Sequence, residues 1–403
     1  MFIRDSRFLF LFITACLHMV GIGLIIPSLP ELIRRFGTGS SEITLYFGLF
    51  YSIYSFMQFL AAPVLGALSD RFGRKPILLL SLLIAAFDYL VMALAPNLVI
   101  LFVARAISGL CGASVTVCMA YASDISTKTN RGIYFGAISG AFGLGFVIGP
   151  AIGGILGSMD PLYPFFTAAL LNLINGIYGY FILPESLEVS KRRNFDLKRL
   201  NPFKSLRLAF SSKEVFLFCF IYFVVVYCAS THPAIWPLYT EYRFGWNAQQ
   251  IGISLTLVGM LMMISQGYLS KILMPKFGYL KLLQICVFGN IFAYLAYAIS
   301  STDVQIYITI IFSSFFFVST PAAQSLASEQ IDDSLQGEFQ GTLVSLSSLS
   351  TFLNPLISTQ LFSFFAQPKF SIPGMPYVIA ALMSVGVSVL ILFIKLKKRK
   401  NSL

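Results

Sequence analysis

The chain has 403 residues, 57% of them hydrophobic and only 11% charged, with a mean hydropathy of +0.80. A soluble domain carries about 25% charged residues, so composition excludes a water-soluble globular protein and indicates a polytopic membrane protein. The net charge of +11 does not indicate nucleic acid, because the basic residues fall in alternate loops between apolar runs.

Twelve apolar runs are long enough to cross a hydrocarbon core of roughly 30 Å. They lie at roughly 8–28, 43–66, 76–95, 98–121, 133–157, 163–183, 214–238, 247–270, 280–299, 304–326, 339–364 and 374–395. Arg4 and Arg7 precede the first run, which is too long for the core of a cleaved signal peptide; it is read as an uncleaved first span. Between the sixth and seventh runs lies a polar linker, 184–213, with Lys191, Arg192, Arg193, Lys198, Arg199, Lys204 and Arg207. The chain ends in Lys395, Lys397, Lys398, Arg399 and Lys400. With both termini inside, 23 of the 28 Lys and Arg are cytoplasmic and Arg34, Arg35, Arg243 and Lys369 are left outside. That asymmetry sets the orientation. The loop 327–338 is acidic, with Glu329, Asp332, Asp333 and Glu338, but acids weigh little in this rule. The six cysteines, Cys16, Cys111, Cys118, Cys219, Cys228 and Cys286, all sit in apolar runs with no paired spacing, which argues against disulfides and a zinc site.

The turn between the second and third runs reads Gly66-Ala-Leu-Ser-Asp70-Arg71-Phe-Gly73-Arg74-Lys75-Pro76. Gly66 permits close helix approach, Asp70 can accept hydrogen bonds or face a helix end, and Arg71, Arg74 and Lys75 hold the turn in the cytoplasm. Pro76 stands in the first turn of the next helix, where its missing N–H costs nothing. This order resembles the signature of the major facilitator superfamily at the same turn. The resemblance implies an all-α membrane fold of twelve transmembrane helices in two pseudo-symmetric six-helix halves, 1–183 and 214–403, joined by the basic linker 184–213. An internal repeat agrees with it. Gly267-Tyr-Leu-Ser270 matches Gly66-Ala-Leu-Ser69 at an offset of 201 residues, and Phe277-Gly278 echoes Phe72-Gly73, with Lys271 in the place of Asp70. Parallel repeats of this kind place substrate near the midplane, between the halves.

Several residues carry candidate mechanism. Arg105, in Ala104-Arg-Ala-Ile-Ser-Gly109, lies inside the fourth run, where an arginine costs about 2.5–3.5 kcal/mol on insertion scales. It either snorkels to the outer interface or faces the interior with a partner. Arg105 and Gly109 together resemble the superfamily's fourth-helix motif, which implies a role in proton movement. Gly145, Gly149 and Gly153 recur every four residues on the fifth run, beside Pro150. The period gives a smooth packing face and the proline a bend; the arrangement also resembles the signature of the antiporter branch, which implies export by exchange. Asp88 is the one carboxylate deep in an apolar span, a proton or cation site or else a structural hydrogen-bonding group. His18 is also mid-span and is a third candidate for coupling. His232 and Trp236 are expected to face a central cavity, with Gln266, Asn290, Gln324, Asn354 and Gln360 either lining it or bonding helix to helix.

Further segments, Gly21-Ile-Gly-Leu-Ile-Ile-Pro-Ser-Leu-Pro30, Asp88-Tyr89, Ser108-Gly-Leu-Cys-Gly-Ala113, Pro164-Phe-Phe-Thr-Ala-Ala-Leu-Leu-Asn172, Arg243-Phe-Gly-Trp-Asn247 and Gln340-Gly-Thr-Leu-Val-Ser345, resemble the bacterial tetracycline/proton antiporters. That family carries a first-helix Asp where this chain has His18, and a ninth-helix Asp that falls near Gly289; the third-helix Asp is kept as Asp88. Two of three membrane carboxylates are absent. This weighs against metal-chelated tetracycline as the substrate and leaves the ligand open. No Walker-type loop, Ser/His/Asp arrangement or metal-ligand cluster is present. The expectation is a monomeric, proton-coupled antiporter of the inner membrane, not an enzyme, with no cofactor or metal. It exports a small organic molecule or drug by alternating access, with the Asp70 turn as a conformational latch. The rivals are an exporter of an endogenous metabolite such as a siderophore, and a non-transporting membrane receptor.

Overall fold

The structure, a computed structural model, describes residues 6–37, 39–127, 131–192, 202–332 and 335–401. Arg4, Arg193, Lys198, Arg199 and Asp333 of the charge pattern lie outside the described residues, as do the side chains of Lys191, Lys204, Glu338, Lys397, Lys398, Arg399 and Lys400. Among those described there is no strand. A backbone in hydrocarbon finds no water to bond, so each apolar run closes its N–H and C=O groups within a helix.

Eleven helices are long and apolar enough to cross a membrane: α1 (Ser6–Ile25), α2 (Glu42–Phe72), α3 (Arg74–Ala93), α4 (Leu98–Ile125), α5 (Gly132–Met159), α6 (Tyr163–Ile182), α7 (Lys213–Phe244), α8 (Ala248–Phe277), α9 (Tyr279–Ile299), α10 (Asp303–Ser328) and α12 (Met375–Leu396). The remaining predicted span, 339–364, is the helix α11 (Gln336–Phe365). It is long enough to cross but is diluted by Thr342, Ser345, Ser350, Asn354, Ser358 and Thr359, all of which are buried. The predicted 43–66 and 214–238 stop short of the helices seen. Apolarity ends at the first charges, whereas α2 runs on through Asp70 to Phe72 and α7 runs on to Phe244. There Gly245, in the left-handed region at φ 68°, turns the chain out. Side chains of Asn97, Ser212 and Thr302 cap the starts of α4, α7 and α10.

Two compact units divide the chain. One comprises Met1–Gly39, Ile53–Pro202 and Asn247–Met260, the other Ser40–Ser52, Phe203–Trp246 and Leu261–Leu403. In the first, α1 packs on α5 and α6, and α3 packs on α6; in the second, α7 packs on α11 and α12, and α9 packs on α12. The pairing scheme is therefore the same in both, the three-dimensional form of the repeat. α4 breaks at Ala113 and α10 breaks between Ser314 and Ser319, at corresponding places. Gly73 (φ 106°, ψ 159°) and Gly278 (φ 71°, ψ 156°) open α3 and α9 in a conformation that only glycine adopts readily.

Polarity is inverted relative to a soluble protein. α3 turns Leu80, Leu83, Phe87, Leu90 and Leu94 outward, with Phe87 67% exposed, while Ser81 and Asp88 face in. α6 likewise exposes Leu170, Leu173, Ile174, Ile177 and Phe181 and buries Asn172 and Asn175. Water would not tolerate such a belt, whereas lipid chains do. At a turn beyond the spans, Asp160 accepts from the Leu162 N–H (2.8 Å) and pairs with Arg35 (3.1 Å). Those contacts, the backbone bond foremost, hold its carboxyl below the usual range. What the turn adds to stability is therefore present above the ordinary carboxylate pKa and lost as pH falls through the lowered one.

The α1–α5 contact is the tightest in the first unit. A Cβ on Gly149 would stand 2.9 Å from the Gly23 Cα, and Gly145 and Gly153 face the backbone of Cys16 and Leu24 just as closely. Gly154 meets Gly252 of α8 in the same manner. Gly149→Val should therefore lower stability by about 1–3 kcal/mol through overpacking, whereas Gly140→Ala, with nothing within 4 Å, should not. Thermal unfolding of the two variants in detergent measures this, and equal melting temperatures would remove the packing role.

Candidate functional site

Two polar centres occupy the first unit. At the α2–α3 turn, Arg74 is buried and its guanidinium gathers three acceptors: Asp70 at 2.6 Å, Asp124 at 3.2 Å and the Ser69 hydroxyl at 2.6 Å. Asp124 comes from the end of α4 and also accepts from the Ser186 hydroxyl (3.0 Å). Glu185, just past α6, accepts from the backbone N–H groups of Arg74 (2.8 Å) and Lys75 (3.2 Å). It thus supplies from a distance the N-terminal cap that Gly73 cannot provide, with its charge at the favourable end of the helix dipole. Gly73 leaves the room for this carboxylate, since a Cβ there would collide with it. Lys75 donates to the Tyr180 carbonyl at 3.0 Å, and Arg71 lies over the Phe72 ring. Gly66 has open space beside it. The sequence singled out Asp70, Arg71, Gly73, Arg74 and Lys75; it missed Asp124 and Glu185. Their signal was an acid at or just past the end of a span, on the same side as a basic turn.

The second centre is deep in the bundle. Asp88 of α3 is 2% exposed, and one of its oxygens accepts from the Ser108 hydroxyl of α4. The other, Oδ1, has no hydrogen-bond partner among the described residues. One turn before Ser108, Arg105 is 1% exposed, so it does not snorkel. Its guanidinium lies 4.2 Å from the centre of the Tyr54 ring of α2, a cation–π contact strengthened by the loss of water. The Tyr54 hydroxyl is 3.4 Å from His18 Nε2 of α1. Three of the sequence candidates, Asp88, Arg105 and His18, are thus drawn together, and Tyr54 is the member that reasoning from sequence missed. Glycines make the approach feasible, since a Cβ on Gly109 would strike the Tyr54 backbone and one on Gly112 its hydroxyl. Gln58 secures the crossing by donating to the Gly112 carbonyl at 3.2 Å. Such a cluster can hold and pass protons, and among the described residues no group of His, Cys, Asp and Glu could hold a metal.

In the second unit the polar candidates are dispersed. His232 stacks on Trp236 (4.1 Å between ring centres) and lies 5.2 Å from the Tyr297 ring. Trp236 is fully enclosed, so it forms core around His232 and no cavity wall. Asn354 binds α11 to α7, donating to the Tyr227 carbonyl (2.8 Å) and the Thr231 hydroxyl (2.9 Å). Asn290 meets Ser319 at 3.3 Å and lines a void of about 10 Å³. Gln266 donates to the Phe317 carbonyl (3.4 Å) and Gln324 to Gln340 (3.2 Å). These four amides join helix to helix.

Residues 11–355 match the family model of the Major Facilitator Superfamily. The chain belongs to the major facilitator superfamily. It is a multi-pass membrane transporter and not an enzyme. It is 37% identical over 350 residues to the class C tetracycline resistance protein of Escherichia coli, covering 87% of this chain and 88% of that one. The class H tetracycline resistance protein of Pasteurella multocida is 35% identical over 364 residues, covering 90% of each chain. The crystal structure of the human organic anion transporter MFSD10 shares the fold, with a TM-score of 0.73 at 22% identity, over 96% of this chain and 99% of that one. The α2–α3 turn of this chain is thus held by Asp124 and Glu185. Replacing Glu185 by Ala should cost about 0.5–2 kcal/mol, the usual loss for a helix cap, and should leave Asp88 in place. A melting temperature unchanged from the parent would show that Glu185 does not cap α3.

Proposed function

We propose that the protein exports a small organic molecule or drug in exchange for protons, by alternating access in the inner membrane. It works as a monomer in the bilayer, with both termini cytoplasmic and with halves 1–183 and 214–403 joined by the linker 184–213. The observation that carries this reading is Asp88, a buried carboxylate held by Ser108 with one oxygen open. A group that stays charged at such depth is costly. A carboxylate that can take up and release a proton avoids that cost, and its charge can then be exchanged for movement. Arg105 is coupled electrostatically to Asp88 and provides the fixed positive charge beside it. The relatives' names support the cargo: resistance conferred by a membrane transporter means removal of the drug from the cell. They favour a drug over a siderophore and transport over a receptor. The Gly145, Gly149, Pro150 and Gly153 face supports exchange, because it gives α5 a smooth track against α1.

Liposomes holding a pH-sensitive dye test the reading, with tetracyclines and other planar drugs added to the outside. A drug-dependent pH change is expected in the parent protein. Asp88→Asn should reduce it by about 10²-fold or more, the scale of a lost proton-transfer group. Equal flux and equal pH dependence in that variant would overturn the role of Asp88. Asp70→Asn removes the negative charge that pairs with Arg74 at 2.6 Å and should cut transport severalfold while leaving expression intact; parental flux would remove Asp70 as a latch.

A further inference from the structure

Between α1, α2, α3, α4 and α6 the first unit holds a cavity of about 30 Å³, above the roughly 10–15 Å³ that one water molecule needs. Its wall carries His18, Tyr54, Tyr89, Ser108, Thr14 and Asn172. A void lined by apolar groups stays dry, whereas one with two to four polar partners holds water. This one offers more than enough. Asp88 is not on the wall, but Ser108 is on the wall and bonded to Asp88 at once. Tyr54 is fixed on both sides, by Arg105 over its ring and by His18 near its hydroxyl. Gly21, one turn beyond His18, leaves room for the Tyr89 hydroxyl, which a Cβ there would meet at 2.9 Å.

We propose that this cavity is a resident water site, and that the water joins Asp88, through Ser108, to His18 as a second proton-holding group, with Tyr54 as the residue that positions it. The step conserves atoms and charge. Asp88, as the acid, gives its proton to the Ser108 oxygen while Ser108 passes its own to the water, and the water passes one to the imidazole. Carboxylate and imidazolium result, the hydroxyl and the water are restored, and nothing is oxidised or reduced. The charged group that bears on His18 is Arg105 from α4; Tyr54 from α2 bonds it, and Tyr89 from α3 and Cys111 from α4 share its cavity wall. α5 presents the Phe142 ring, 6.3 Å from the imidazole, and α6 the amide of Asn172. The inference rests on the proton role of Asp88.

Infrared difference spectroscopy of the protein in lipid, recorded between acid and neutral pH, tests it without any drug. The carboxylic band lost in Asp88→Asn identifies Asp88. A water O–H band that moves in water of the heavy oxygen isotope identifies the resident water. Both are expected in the parent. His18→Gln should abolish the water band and shift the Asp88 band. Tyr54→Phe should alter the water band while keeping the Asp88 band. Ser108→Ala provides a second route to the same loss, and melting temperatures certify that each variant is folded. An Asp88 band that is identical in His18→Gln, or the absence of an isotope-sensitive water band, overturns the relay and leaves Asp88 as the coupling group. A spectrum unchanged by Asp88→Asn overturns the coupling reading itself, and the relay with it.

Discussion

A carboxylate and a guanidinium lie within hydrocarbon reach of each other in the first unit, and the surrounding helices are arranged around keeping them there. Neither charge is tolerated next to lipid. α3 and α4 therefore turn leucine and phenylalanine outward and Asp88 and Arg105 inward. The tyrosine that covers Arg105 belongs to a third helix, which reaches it only because Gly109 and Gly112 carry no side chain at the crossing. The glycines of α5 do the same for α1, and so for His18. Small residues and deep charges are two sides of one constraint. Helices in lipid gain little by hiding apolar surface, so close approach and polar contact must hold them.

The parts of this arrangement that could be read from sequence are those with a chemical oddity. A carboxylate in a run of leucines, an arginine in a span and glycines at every fourth place all point to themselves, and Asp88, Arg105 and Gly149 sit where they matter. Tyr54 does not, because a tyrosine among Phe56, Phe59 and Tyr51 has nothing in its local pattern to set it apart. Glu185 and Asp124 escaped for another reason. Their meaning comes from a turn 50 residues or more away in the chain, and only folding brings them to it. α11 shows the limit of apolarity as a signal, since a helix that faces other helices on several sides can carry serine and threonine freely. The amides expected to line a cavity were equally ambiguous, and Asn354 illustrates why: a buried amide must bond something, and a neighbouring backbone serves.

The two units share one pairing scheme and one glycine-opened turn, yet they have specialised in different directions. In the first copy the turn is clamped by carboxylates, and the interior holds ionisable groups. In the second the space beside Gly278 is open, Lys271 replaces the acid, and the interior is built from stacked rings such as Tyr297 and Tyr377.

The length of α2 has a mechanical consequence. With Ser40 and Ser41 ahead of Glu42, the whole helix has 33 residues, Ser40–Phe72, a rod of about 50 Å at 1.5 Å per residue, well beyond the roughly 30 Å of hydrocarbon. The rod ends beside the Arg74 clamp and carries Tyr54 near its middle. Tilting it by about 10° carries one end some 9 Å relative to the other, while a point near the pivot shifts hardly at all. Leverage of this kind would let the buried ring stay beside Arg105 while the charged end of the same helix moved by several ångströms.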